Sequence, residues 1–181
     1  FRDSASGAGS SSTGIYISGS YYNFKNVIIE NAPDCGVRIK GSNAGHCLFR
    51  DCVLRYNNNS GVSMTDGSSY NTFVGVDSYR NGDIVQKCGD DADGFSIKLN
   101  AGSDNYFYSC RAFDNSDDGW DSYDRGTPRV GDLYYIECLA WNNGNPEVFT
   151  GEYDYKMGYA LDKHLLYVQA MLKADSSVET A

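Results

Sequence analysis

Short segments in which apolar and polar residues alternate recur along the whole chain, and nothing between them has the spacing of an amphipathic helix. Taking Asn26–Asn31 (NVIIEN) as a template, similar segments begin at Cys47 (CLFRDC), Asn71 (NTFVGV), Asn105 (NYFYSC), Leu133 (LYYIEC) and Leu165 (LLYVQA), at intervals of 21, 24, 34, 28 and 32 residues. Each of the first five is followed by a second short segment that begins with a small or polar residue. These are GVRIK from Gly36, GVSMT from Gly61, GFSIK from Gly94, GWDSY from Gly119 and DYKMG from Asp154; an earlier copy, GIYIS, starts at Gly14. The pattern predicts two strands per unit, joined by Gly and Asn turns.

Repeats of this kind predict an all-β solenoid, a parallel β-helix of about six coils, in which equivalent residues stack about 4.8 Å apart and form columns. Cys52, Val76, Cys110, Cys138 and Ala170 make a small apolar column that should face inward. Five residues later, Asn57, Asn81, Asn115 and Asn143 make an amide ladder able to hydrogen-bond along the axis. Phe49, Phe73, Phe107, Tyr135 and Tyr167 form an aromatic column read as core packing, and Trp120 falls in the apolar column of Val37, Val62, Phe95 and Tyr155. Residues 1–181 read as one β-helix domain with a flexible Ser/Gly-rich start over 1–13 and a polar tail over 174–181. Ends without obvious caps would favour end-to-end or lateral self-association.

Composition narrows the class. Fifteen Lys and Arg stand against 24 Asp and Glu, a net charge of −9, which excludes a basic nucleic-acid binder. No run of about 18 apolar residues marks a membrane span. The chain opens at Phe1 rather than Met, as a mature or trimmed product would, and a secreted localisation is expected. Cys52, Cys110 and Cys138 are expected as buried thiols, whereas Cys35, Cys47 and Cys88 are left open between thiol and disulfide.

The chemistry concentrates where the columns meet the acids. Aligning the glycines of ADGF (Ala92–Phe95) and SDDGWD (Ser116–Asp121) puts Asp93 and Asp118 in one column, one strand spacing apart. Asp117 adjoins Asp118, and Asp121 points outward two residues after Gly119. Four carboxylates on one outer corner repel one another unless protonated or neutralised by a cation, and Ca2+ suits such an all-oxygen site better than Mg2+.

Two histidines, His46 and His164, precede the first strands of their coils and read as turn residues. The outward column Arg38, Ser63, Ser96, Asp121, Lys156 instead places Lys156 one coil beyond Asp121, where a neutral amine could act as general base. Lys98, on the outer face of the Asp93 coil, suits a substrate carboxylate. Loop lengths point to the same corner: three residues separate Asn57 from Gly61 and Asn115 from Gly119, but twelve separate Asn81 from Gly94 and ten separate Asn143 from Asp154. Those two insertions would wall a groove around it.

The order ADGF, NYFYSCRAFDNSDDGWD, ECLAWNNG and YKMG resembles the calcium and lysine region of the family 9 polysaccharide lyases, right-handed parallel β-helix enzymes that include pectate lyases. The resemblance spans roughly Asn26 to Lys173 and is strongest from Asp93 to Asp121. It implies calcium held by Asp93, Asp117, Asp118 and Asp121, a lysine base at Lys156, and β-elimination on an acidic, pectate-like polyuronate; Lys98, Arg125 or Arg129 are expected, by position alone, to bind further uronates. The motif around the base departs from the family's GFKLGG, reading DYKMGY here. The chain is also short for the family, so a piece of a longer solenoid is expected. The alternative class is a non-catalytic glycan-binding or structural extracellular β-helix, a fibre or adhesin, whose calcium is a clamp.

Overall fold

A computed structural model describes residues 13–83, 89–126 and 129–144; the expected sixth coil, with Lys156, His164 and the polar tail, and also Cys88, lie outside them. Among the described residues the regular structure is entirely strand, arranged as three five-stranded parallel sheets. The first contains β1 (Ile15–Ile17), β4 (Val37–Lys40), β7 (Val62–Thr65), β10 (Phe95–Ile97) and β13 (Trp120–Asp121). The second contains β2 (Asn23–Lys25), β5 (Leu48–Arg50), β8 (Thr72–Val74), β11 (Asn105–Tyr108) and β14 (Leu133–Ile136). The third contains β3 (Ile28–Glu30), β6 (Val53–Arg55), β9 (Asp77–Tyr79), β12 (Arg111–Phe113) and β15 (Leu139–Trp141). Each strand pairs with its counterpart one coil away, so five turns of a parallel β-helix stack in register.

Three strands per coil, rather than two, corrects the expected unit. The third strand is three residues long and enters through a left-handed bend that is Asn26, Asp51, Ser109 or Glu137 in four coils and Gly75 in the third, so most copies lack Gly punctuation. The template segment is corrected with it. Phe24, not Ile28, is the partner of Phe49, and Ile28 pairs with Val53 in the third sheet. NFK and IIE both offer an apolar residue at the middle of a three-residue strand, which is why the two are confusable by pattern.

The inward columns hold as expected. Phe24, Phe49, Phe73, Phe107 and Tyr135 stack ring on ring at 4.7–5.2 Å through the centre. Phe95 stacks on Trp120 at 4.8 Å, and Phe95 meets Phe73 and Phe107 edge to face. Cys52, Val76, Cys110 and Cys138 are buried, and the five described cysteines, Cys35 and Cys47 included, are free thiols. Burial, with the charge of Asp34 adding to it, pushes the Cys35 thiol up to about 12, which keeps it protonated.

The amide ladder is continuous: the Nδ2 of Asn57, Asn81 and Asn115 each donates at 2.9 Å to Oδ1 of the next Asn, ending on Asn143. Each Oδ1 also accepts the backbone N–H of the preceding rung. A second ladder, from Asn71 to Asn105, holds another bend. The bends themselves are mostly not glycine. Asn26, Asp51, Ser109 and Glu137 share a left-handed corner with Gly75, and Tyr21, His46, Tyr70 and Asp104 form another. His46 lies between Tyr21 and Tyr70, 4.8 Å from each ring, which bears out its reading as a turn residue.

Glycine is needed in the column Gly14, Gly36, Gly61, Gly94 and Gly119, where each coil enters the first sheet. A Cβ on Gly94 would lie 2.7 Å from the carbonyl oxygen of Gly119 and 2.9 Å from Nδ2 of Asn115. This close approach of backbones sets the height at which the residues just before the glycines emerge.

Candidate functional site

Those preceding residues include Cys35, Ser60, Asp93 and Asp118, and the last two are the column of acids expected from the glycine alignment. The Gly94 amide donates to the Asp118 carbonyl at 2.8 Å, while the Asp118 amide donates to Oδ1 of Asp93 at 3.2 Å. Asp121 pairs with Ser96 on the outward side of β13, opposite the buried Trp120, yet is itself only 9% exposed. One carboxylate oxygen from each of Asp93, Asp118 and Asp121 lies within 4.8 Å of the others. Asp117 adjoins Asp118, its amide donating to the Ala92 carbonyl at 3.2 Å, but its carboxylate is not one of the three that converge.

Burial dominates the electrostatics. It pushes the Asp117 carboxyl up to about 8, helped by the charges of Asp93 and Asp118. Asp118 is likewise pushed up to about 8 by burial, then by Asp93 and Asp121. The fully buried Asp93 carboxyl is raised to about 6 by desolvation, with Lys98 opposing the shift and Asp121 adding to it. Three or four acids that resist ionising together form the donor set that a hard divalent cation stabilises, since its charge removes both penalties at once. The residues therefore fit Ca2+.

Lys98, immediately after β10, belongs to the same corner. Its Nζ donates to Asp121 Oδ2 at 2.8 Å and to Asp93 Oδ2 and Asp91 Oδ1, both at 3.2 Å. Burial opposes its charge, but the carboxylates of Asp93 and Asp121 outweigh that and hold its pKa above the usual lysine range. Ser60 adds a further support: its hydroxyl donates to Asp93 Oδ2 at 3.4 Å and accepts the Asp93 amide at 3.1 Å. Ser60 and Asp91 are absent from the sequence-based set. Ser60 was within reach of it, because it precedes Gly61 as Asp93 precedes Gly94; Asp91 lies in an irregular loop that no column marks.

Arg125 and Arg129 lie on the long connection between β13 and β14, away from the three-carboxylate cluster in their hydrogen bonding. Both are exposed. Arg129 lines a groove of about 630 Å³ together with Ser122, Asp124 and Tyr134. The Arg125 amide donates to Asp124 Oδ1 at 2.8 Å. Sequence reasoning had placed the walls in the Asn81–Gly94 and Asn143–Asp154 insertions; this third connection, Ser122 to Asp132, follows the short coil that carries the acids. Lys156 lies outside the described residues.

Comparison with known proteins places this architecture. Residues 3–160 match the family described as Pel9A-like, right handed beta helix region. Pectate lyase L of Dickeya dadantii is 41% identical over 140 residues, which cover 77% of this chain and 32% of that protein. Pectate lyase L of Thermoclostridium stercorarium is 31% identical over 171 residues, 88% of this chain and 13% of the relative. The crystal structure of pectate lyase Pel9A superimposes with a TM-score of 0.71 at 34% identity, covering 82% of this chain and 34% of that one. The chain thus spans about a third or less of the length of these relatives.

Proposed function

The chain belongs to the Pel9A-like right-handed β-helix family, the family 9 polysaccharide lyases, and on that premise we propose that it carries the catalytic corner of a secreted, calcium-dependent lyase that cleaves pectate-like polyuronates by β-elimination. The observation that carries the reading is the convergence of Asp93, Asp118 and Asp121 oxygens within 4.8 Å of one another, beside Asp117, on the outer side of two adjacent coils. The similar proteins are pectate lyases, which supports an acidic polysaccharide as substrate.

In this reading Asp93, Asp117, Asp118 and Asp121 hold Ca2+ and are themselves held by the backbone: the Asp118 amide fixes Asp93, and the Tyr123 amide, donating at 2.8 Å to Oδ1, fixes Asp121. Bound calcium supplies positive charge next to the uronate carboxylate, which acidifies the neighbouring C5 proton. Lys156, one repeat beyond Asp121 in the outward column by sequence spacing, takes that proton as a neutral amine. The C5–H electron pair becomes the C4–C5 double bond, and the glycosidic oxygen leaves C4 with the bonding pair and takes up one proton from solvent, balancing the one removed from C5, so no net water is consumed and an unsaturated sugar results. Arg125 and Arg129 bind further uronates by charge-assisted hydrogen bonds.

The test is incubation with polygalacturonate and calcium, following ultraviolet absorbance of the unsaturated end. Product formed by the wild type and lost in Lys156→Ala supports the assignment of the base; undiminished product in that variant removes it. Calcium binding with no product on any uronate polymer would instead favour the non-catalytic, structural β-helix.

A further inference from the structure

The amine of Lys98 is where a metal would be expected to draw its ligands. It contacts Oδ2 of Asp121 at 2.8 Å and Oδ2 of Asp93 at 3.2 Å, and these two residues supply two of the three converging oxygens. The third contact, Asp91 Oδ1 at 3.2 Å, belongs to the loop that returns to β10. The side chain is 15% exposed, and Asp93 beneath it is fully buried. An ammonium so placed neutralises part of the charge of a corner that gathers Asp91, Asp93, Asp117, Asp118 and Asp121.

The other acceptor positions of the two shared residues are already committed. Asp93 Oδ1 accepts the Asp118 amide and Asp121 Oδ1 accepts the Tyr123 amide, while Asp93 Oδ2 also takes the Ser60 hydroxyl. Within these two residues, the Oδ2 atoms that Lys98 holds are the ones no backbone amide takes, while Asp118 supplies the third converging oxygen. A divalent ion on those Oδ2 atoms would sit beside a fixed ammonium, a repulsion between close like charges at the effective dielectric of a partly buried site. A lysine has the flexible four-carbon stem needed to relieve it by moving away.

We propose that Lys98 is the resident counter-ion of this corner: it closes the carboxylates in the metal-free protein, competes with Ca2+ for Asp93 and Asp121, and is released to the outer face when the ion binds. The inference rests on the calcium reading above. It gives Lys98 a role as a positioning residue in the metal-free state, and it makes the expected uronate contact of Lys98 conditional on calcium.

Two measurements on the 181-residue chain test it, neither of them using activity. The first is calorimetric titration of Ca2+ into the wild type and into Lys98→Met. Removal of the competitor should tighten binding by about tenfold, while lowering the melting temperature in chelator; weaker or unchanged binding overturns the proposal. Lys98→Gln, which keeps a hydrogen-bond donor without the charge, should bind calcium more tightly than the wild type too, and covers the case in which the Met variant does not fold. The second is acetylation of lysines followed by peptide mass spectrometry. Lys98 should react slowly in chelator and several-fold faster at saturating Ca2+; equal or slower reaction with the ion overturns release. If the wild type binds no Ca2+ in the first titration, it is the calcium reading that fails, and the chelator melting temperature of Lys98→Met still reports whether Lys98 is the counter-ion.

Discussion

Asp118 stands one coil above Asp93 and reaches it through the main chain, its amide donating to Asp93 Oδ1 at 3.2 Å. The two carboxylates are consequently held next to each other by the backbone of the solenoid, whatever their mutual repulsion. Asp93→Asn keeps an acceptor for that amide and removes one charge from a fully buried position. Calcium affinity should fall by about tenfold to a hundredfold, with no loss, and even a gain, of melting temperature in chelator. Calorimetry on the two proteins checks both halves.

The acids also set a pH dependence for the metal-free protein. Asp117 and Asp118 rise from 3.8 to about 8 on folding, chiefly by burial. A carboxyl whose folded pKa lies above its unfolded value favours the folded state fully only at pH below the unfolded value, and that contribution is lost as pH rises to the folded one. In chelator the melting temperature should therefore decline between about pH 4 and pH 8. Saturating Ca2+ should flatten or reverse the decline at the alkaline end. A melting temperature in chelator that climbs steadily across this window contradicts the assigned shifts.

Much of this corner was legible in the sequence because parallel stacking in register turns equal spacing into spatial neighbourhood. The Asn57 to Asn143 ladder and the Phe49 to Tyr135 stack follow from aligning the repeated segments that begin at Cys47, Asn71, Asn105 and Leu133, and the pairing of Asp93 with Asp118 from aligning the glycines. The third strand was not legible: Val53–Arg55 lies between left-handed Asp51 and Tyr56, residues that do not announce a bend, and although Gly75 precedes Asp77–Tyr79, the other copies of that corner are not glycine. Nor was the engagement of Lys98, because it depends on where the loop carrying Asp91 closes, and loop closure leaves no periodic trace.

Breaking the amide ladder should be costly. Asn115 accepts from the amide and side chain of Asn81 and donates to Ser78 O and Asn143 Oδ1, all buried. Asn115→Ala leaves several of these groups without partners and should destabilise the protein by about 2–4 kcal/mol. Chemical denaturation measures it. A loss below about 0.5 kcal/mol would mean that the ladder is not a stabilising element.

Gly94→Ala tests the link between coil stacking and the site. Its Cβ would meet the Gly119 carbonyl oxygen at 2.7 Å, a backbone atom one residue from Asp118. Both stability and calcium affinity should drop, the first by about 2 kcal/mol or more. Retention of wild-type affinity in a destabilised variant would separate the glycine column from ligand placement.

The central claim is that the Asp93, Asp117, Asp118 and Asp121 corner makes this chain a calcium-dependent lyase. Its most direct measurement is the initial rate of unsaturated-product formation on polygalacturonate across a calcium titration, in the wild type and in Asp118→Asn. The account predicts no product in chelator, a half-maximal calcium concentration matching that of binding, and a shift of both to higher calcium in the variant. Product formed at the same rate in chelator as in calcium, or a calcium dependence untouched by Asp118→Asn, would contradict it.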